Sequence, residues 1–240
     1  MPKLRVPTIQ HLARNWADSP AEIEKHLVRI ALNPPIFNYN ALIDSARDLL
    51  LLGVPEEQIA DGIRRKEKRE NVRSVLLEVL PILCRYFKDI SPDFVHEVSH
   101  RFYSIDRDLK IPFKPTFIYG VGGQIYFPWF SFWRSNPLDN EQLSLFVTLV
   151  DEMLLQDPDL ELAKFEILDF SAKNAKTHRV LRVIDTQDIP RLEIEKKLYM
   201  LSTFKEGFRR AEASLAKSTS SRKSEKEDSI IDIHQITLWD

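Results

Sequence analysis

The chain has few of the residues that build several common kinds of functional site. Its single cysteine, Cys84, excludes an internal disulfide bond and a cysteine-based zinc site. Only six glycines occur and none precedes Gly53, so glycine-rich phosphate-binding loops are not expected in the first part of the chain. No segment approaches the roughly 20 apolar residues that cross a bilayer, so no membrane partner is predicted.

Charge of one sign is not in excess either. The 34 lysines and arginines are balanced by 36 aspartates and glutamates, which gives a net charge of −2. A basic field over the whole surface is therefore excluded, and any nucleic-acid site has to be local. The first residues lack the apolar core of a signal peptide, so the sequence predicts a cytoplasmic protein. No motif requires a cofactor, so none is predicted.

The first part of the chain has the patterns of helices, and a hydrophobic content of 43% is enough to fill a core. Ser19, Pro20 and Glu22 have the spacing of a capped helix start, and Gly53 ends a second run with helical spacing. Further helices are expected at about 72–88 and 92–104. Residues 1–110 are therefore predicted to form a helical bundle.

Residues 111–215 have a different pattern. Two strands joined by a glycine turn are predicted from "TFIYGVGGQIYFPWFSFW", and a buried helix follows from near Asp139. Two more strands, at 163–170 and 179–185, precede a helix that begins after Pro190. The order β-β-α-β-β-α predicts an α+β fold, in which the N-terminal bundle packs on a small antiparallel sheet.

The aromatic strand "QIYFPWFSFWR" has apolar residues on both faces. One face carries Ile125, Phe127, Trp129 and Trp133, and the other carries Tyr126, Phe130 and Phe132. This pattern favours a sheet that is covered on both sides, with the rings inside the protein. The alternative is a partner-binding surface made of Tyr126, Phe130, Phe132 and Arg134, for a protein or for stacked bases.

Residues 216–240 are predicted to be a flexible tail. The stretch "KSTSSRKSEKED" has no apolar residue to offset the entropy of ordering it. An apolar terminal peptide follows, and its candidate partner-binding residues are Ile231, Ile233, Leu238 and Trp239. This peptide either folds back onto its own core or binds a protein partner by strand addition or groove insertion.

A segment at 53–73 is similar to a helix-turn-helix, with Gly53 in the turn and Ile59 as the apolar position that follows. The second helix would present cations to DNA, and the candidate residues are Arg64, Arg65, Lys68 and Arg69. The alternative is a solvated basic helix end, which the helix dipole favours.

The segment "HEVSH" has the H-E-x-x-H spacing of zinc proteases. On a helix, His96 and His100 would lie on one face and could bind zinc, with Glu97 as the general base. An exposed histidine pair is the alternative, because a third ligand is required and only Asp106 or Asp108 further along the chain could supply it.

Asp169 and Asp185 in the second half are candidate carboxylates for a nuclease-type metal site. If the strands at 163–170 and 179–185 pair as a hairpin, Asp169 and Asp185 lie at opposite ends, on the order of 20 Å apart at about 3.3 Å per residue. One metal ion cannot bridge them.

The sequence therefore predicts a non-catalytic adaptor or assembly subunit with a protein partner, and DNA binding and zinc-dependent hydrolysis are the alternatives.

Overall fold

The computed structural model describes residues 4–34, 38–136, 138–174 and 177–234, and describes side chains as far as residue 217. The described helices are α1 Ile9–Asn15, α2 Pro20–Leu32, α3 Asn40–Leu52, α4 Glu56–Lys66, α5 Glu70–Phe87, α6 Asn140–Leu154 and α7 Ile194–His234. The strands are β1 Phe94–Glu97, β2 Arg101–Asp106, β3 Leu109–Phe113, β4 Phe117–Val121, β5 Gln124–Ser131, β6 Lys164–Asp169 and β7 Arg182–Asp185. None of these helices combines the length and the apolar character that a membrane span requires.

The main sheet has the strand order β1-β4-β5-β6-β7, and β2 and β3 form a separate hairpin. Neighbouring strands of the main sheet are antiparallel except β5 and β6, which are parallel from Tyr126 opposite Lys164 to Ser131 opposite Asp169. The prediction of a wholly antiparallel sheet is wrong at this pair. The chain returns through α6 before β6 begins, so β6 runs in the same direction as β5.

Both faces of the main sheet are buried under helices. Phe127, Trp129 and Ile167 pack in one core with α1, α2, α6 and α7. Phe130 and Leu168 point to the opposite face, where they pack in a second core with α3, α4 and α5. The sequence-based expectation that the aromatic strand is covered on both sides is confirmed.

The N-terminal helices do not form one bundle. α1 and α2 pack with α6 and α7 on one face of the sheet, whereas α3, α4 and α5 cover the other face. The reason is that each group has its own apolar surface to bury, and the sheet offers two apolar faces rather than one. The molecule is mixed α and β, with the sheet between two helical layers.

The segment predicted as a helix at 92–104 is instead β1 and the first part of β2. β1 pairs with β4, from Phe94 opposite Gly120 to Glu97 opposite Phe117. Gly120 leaves room for the Phe94 ring, because a β-carbon at this position would collide with it. The predicted turn between β4 and β5 is confirmed, with Gly122 and Gly123 at φ values of 57° and 83°.

The last helix, α7, packs along α2, with Gly207 against Ile23. Its backbone remains helical from residue 216 to His234, where the polar composition predicted a flexible tail. Ile231 and Ile233 belong to this part of α7. Leu238 and Trp239 lie outside the described residues.

Candidate functional site

Buried polar side chains concentrate where β5 and β6 end. Because the two strands are parallel, both finish at the same edge of the sheet, with Ser131 opposite Asp169. Ser131, Asp169, Ser171 and Arg179 are all buried there. Polar groups are buried at a cost unless they have partners, so their concentration at one edge needs an explanation.

Asp169 is fully buried and is held by three hydrogen bonds. Its carboxylate accepts from the Ser171 backbone N–H (3.1 Å), from the Ser171 hydroxyl (3.0 Å) and from Nη2 of Arg182 (2.6 Å). The Arg182 side chain is 56% exposed, and its Nη2 also donates to Oγ of Ser171 (2.8 Å). Arg182 therefore covers the buried carboxylate from the solvent side.

Arg179 joins the segments that follow the two strands. Its side chain is 2% exposed, and Nη1 donates to the carbonyl oxygens of Phe132 (2.8 Å), Trp133 (3.1 Å) and Phe170 (3.1 Å). Its Nε lies 3.4 Å from Oε2 of Glu78 on α5, without hydrogen-bond geometry. The guanidinium thus holds both strand ends in one arrangement.

Other cations surround these strand ends. Nη1 of Arg134 donates to Oε1 of Glu78 (2.8 Å), and Nη2 donates to the carbonyl oxygen of Thr177 (2.7 Å). On the other side, the Arg14 guanidinium lies 4.7 Å from the centre of the Trp133 ring, in cation–π geometry. Removal from water and then the charge of Arg14 lower the pKa of His11 to about 4.

A second polar group lies on the opposite face of β6. Glu166 is buried, and Oε1 accepts a hydrogen bond from the Tyr119 hydroxyl (3.3 Å). Burial raises the pKa of this carboxyl above its ordinary value. Near it, Lys164 and Asp185 form an ion pair of 3.1 Å. The tyrosine contact accounts for the burial of Glu166, so this group is explained as part of the core.

Similarity to known proteins does not assign a function to either group. No protein-family model matches this chain, and no curated protein matches it.

The zinc hypothesis lacks the helix on which it depends. His96 lies in β1 and stacks on Phe94, with ring centres 5.1 Å apart, while His100 lies between β1 and β2. Glu97 forms an ion pair with Arg47. Among the described residues, no group of three or more histidine, cysteine, aspartate and glutamate side chains could hold a metal ion. The expected one-helix arrangement of His96 and His100 is wrong, because strand pairing with β4 fixes this segment.

The segment similar to a helix-turn-helix does form two helices, with Gly53 in a left-handed conformation between α3 and α4. Its cations have acidic neighbours: Arg64 pairs with Asp61 (2.7 Å), and Arg69 pairs with Glu67 (2.8 Å). The hydrogen bonds from Arg69 lower the pKa of Glu67 to about 2. Arg65 is exposed on α4, and Lys68 lies between α4 and α5. These acidic partners reduce the positive potential that phosphate contacts need, and DNA binding stays a prediction.

The predicted partner-binding aromatics lie against this chain's own helices. Phe130 and Phe132 are buried, and Phe132 contacts the rings of Tyr39 and Phe170. Tyr126 is partly buried and stacks on Tyr119. Of this set only Arg134 is exposed, and it belongs to the cluster at the strand ends. The open surface proposed for these rings is occupied by α3 and α5.

The cluster of buried polar residues at the ends of β5 and β6 was not predicted from the sequence. The hairpin of β6 and β7 was expected, and in its register Asp169 and Asp185 do lie at opposite ends of the paired segment. The expected separation of about 20 Å is wrong, because Asp185 lies opposite Glu166, which is three residues or about 10 Å along β6 from Asp169. However, Ser131, Arg179 and Arg182 gain significance only through the parallel pairing of β5 with β6. A strand, a buried helix and a second strand in succession were the signal that could have indicated this pairing.

Proposed function

We propose that the protein is a non-catalytic, cytoplasmic adaptor or assembly subunit that binds another protein. The observation that supports this proposal most is an apolar patch, defined as Phe102, Ile194 and Leu198. Their exposed fractions are 59%, 69% and 57%. Single exposed apolar residues are ordinary, but neighbouring ones indicate a surface that another molecule covers.

The three residues come from adjacent elements. Glu152 accepts hydrogen bonds from the Tyr103 hydroxyl of β2 (2.8 Å) and from Nζ of Lys197 of α7. These bonds join β2 and α7 through Glu152, and the two elements carry Phe102 and Leu198 at exposed positions. Ile194 lies one turn before Leu198 on α7. We propose that the partner covers these exposed residues of the two adjacent elements.

The end of the chain supports a second contact with the partner. α7 continues past Leu215, and at about 1.5 Å per residue it carries Ile231 and Ile233 roughly 25 Å further. The terminal apolar residues Leu238 and Trp239 follow in the sequence. A partner that contacts both the patch and this peptide would gain affinity from two linked sites.

The test compares partners that co-purify with tagged protein at native expression level. The double variant Phe102→Ser and Leu198→Ser removes the patch, and a second variant lacks residues 229–240. The matched control is Leu52→Ser, because Leu52 is 73% exposed on α3. A protein recovered with the wild type and the control, lost from the double variant, and shown to bind directly when purified supports the proposal.

Recovery of the same proteins with all variants would contradict a role for the patch. Sedimentation of the purified chain identifies one special partner. If the wild type is a dimer and the double variant is a monomer, the partner is a second copy of the chain.

A further inference from the structure

We infer that the ends of β5 and β6 form a binding site for a small molecule that carries a phosphate group. We define this strand-end site as Ser131, Asp169, Ser171, Arg179 and Arg182, with Arg14, Trp133 and Arg134 at its rim. It is separate from the apolar patch and does not depend on protein binding.

The site lies where ligands bind in many sheets that contain parallel strands. In open sheets with parallel strands, ligands bind outside the carboxyl ends of those strands. β5 and β6 are the parallel pair, connected through α6, and the strand-end site lies at their carboxyl ends. The first turn of α6 carries Glu141, which pairs with Lys196.

The hydroxyl of Ser131 is a polar group that no described residue satisfies. Ser131 is buried, and within the described part of the chain its hydroxyl has no hydrogen-bond partner. Its register partner on β6 is Asp169, which is occupied by Ser171 and Arg182. A buried hydroxyl without a protein partner is costly, and in native proteins such a group commonly bonds to a bound ligand, ion or water.

Arg182 and Arg14 have guanidinium donors that are available to a ligand. Arg182 uses only Nη2 in its contacts with Asp169 and Ser171, and among the described residues Nε and Nη1 donate to no protein acceptor. Arg14 lies over Trp133 and makes no ion pair with any described carboxylate. Ser131 and Trp133 are two residues apart, about 7 Å along the chain, and each has one of these arginines nearby: Arg182 contacts Asp169, the register partner of Ser131, and Arg14 lies over the Trp133 ring.

Charge selects the ligand. Arg14 and Arg182 bring two guanidinium groups to the strand ends, each with donors that no described residue uses. Two such groups match a phosphate monoester dianion better than a single carboxylate, and guanidinium groups bind phosphate oxygens in pairs.

The test is a titration of the full chain with inorganic phosphate near pH 8, where the anion is mostly doubly charged. Binding is measured by calorimetry and by the shift in Tm, at an ionic strength held constant with sodium chloride. A parallel titration uses acetate, which carries one charge. We expect saturable binding of phosphate and none of acetate in the same concentration range.

Four variants separate a site from a general salt effect. Arg182→Gln and Arg14→Gln each remove a donor, and Arg14→Gln remains informative if the loss of the Asp169 partner unfolds the first variant. Ser131→Ala removes a hydroxyl that has no partner, so it keeps or raises Tm without phosphate but should weaken phosphate binding about tenfold. Arg85→Gln, at an exposed position on α5, is the control and should bind like the wild type.

Saturable phosphate binding that weakens in Arg14→Gln and Ser131→Ala, but not in Arg85→Gln, supports the inference. Binding that does not saturate up to about 50 mM phosphate would overturn it, because weak specific sites bind at roughly 1 mM. Equal phosphate binding by all variants, or tighter binding of acetate than of phosphate, would overturn it as well.

Discussion

The variant Arg179→Met tests how the strand-end site is held together. Arg179 is buried, and Nη1 donates to three carbonyl oxygens that belong to the segments after β5 and β6. Methionine has a similar length but no donor, so the substitution leaves these carbonyl groups without this partner. It also removes the cation beside Glu78.

The expected loss of stability follows from these contacts. A buried acceptor left unsatisfied costs about 1–3 kcal/mol, but the three bonds share one nitrogen atom and their energies do not add. Glu78 is partly exposed, so water compensates for most of its lost ion pair. We therefore expect Arg179→Met to cost about 1–3 kcal/mol.

Urea unfolding followed by tryptophan fluorescence measures this change. Arg179→Lys should be intermediate, because lysine keeps the charge but lacks the fork of guanidinium donors. Arg65→Met on α4 is the control for loss of an exposed arginine, with an expected change within about 0.5 kcal/mol. A loss below about 1 kcal/mol for Arg179→Met would refute the role assigned to these hydrogen bonds.

Three further substitutions test packing and pH dependence. Gly207→Ala should destabilise the protein by about 1–3 kcal/mol, because the new β-carbon would lie 2.6 Å from Ile23. Gly62→Ala, whose β-carbon would meet no atom within 4 Å, should instead stabilise α4 by about 0.5–1 kcal/mol. Changes in stability of the same sign for both variants in thermal unfolding would contradict the packing of α7 on α2. Burial raises the pKa of Glu166 above its ordinary value of 4.5, so its contribution to stability is present below about pH 4.5 and is lost as pH rises through the folded-state pKa. Glu166→Gln should therefore raise stability at neutral pH and flatten its pH dependence, and identical pH slopes in urea unfolding would argue against this.

The sequence predicted those parts of the fold in which local pattern and tertiary packing agree. The alternation in β5 indicates two buried faces, and Trp129 and Phe130 indeed point into different cores. At 92–104 local pattern and tertiary packing disagree. Phe94, Val98 and Phe102 are spaced by four like a helix face, but pairing with β4 makes the first of them part of a strand.

The strand-end site could not be derived from local sequence. Ser131, Asp169 and Arg182 are far apart in the chain, and only the register of β5, β6 and β7 brings them together. Nothing in the residues alone distinguishes the serine at the end of β5 from an ordinary surface serine. The apolar patch was missed for the same reason, since Phe102 and Leu198 belong to elements that are distant in sequence.

The most direct test of the central claim, that the polar edge of an otherwise buried sheet is a ligand site, is a phosphate titration followed by backbone amide NMR shifts. The strand-end site predicts saturating shifts with one common Kd at Ser131, Trp133 and Ser171. Shifts confined to exposed cations such as Arg64 and Lys68, or none that saturate, would contradict it.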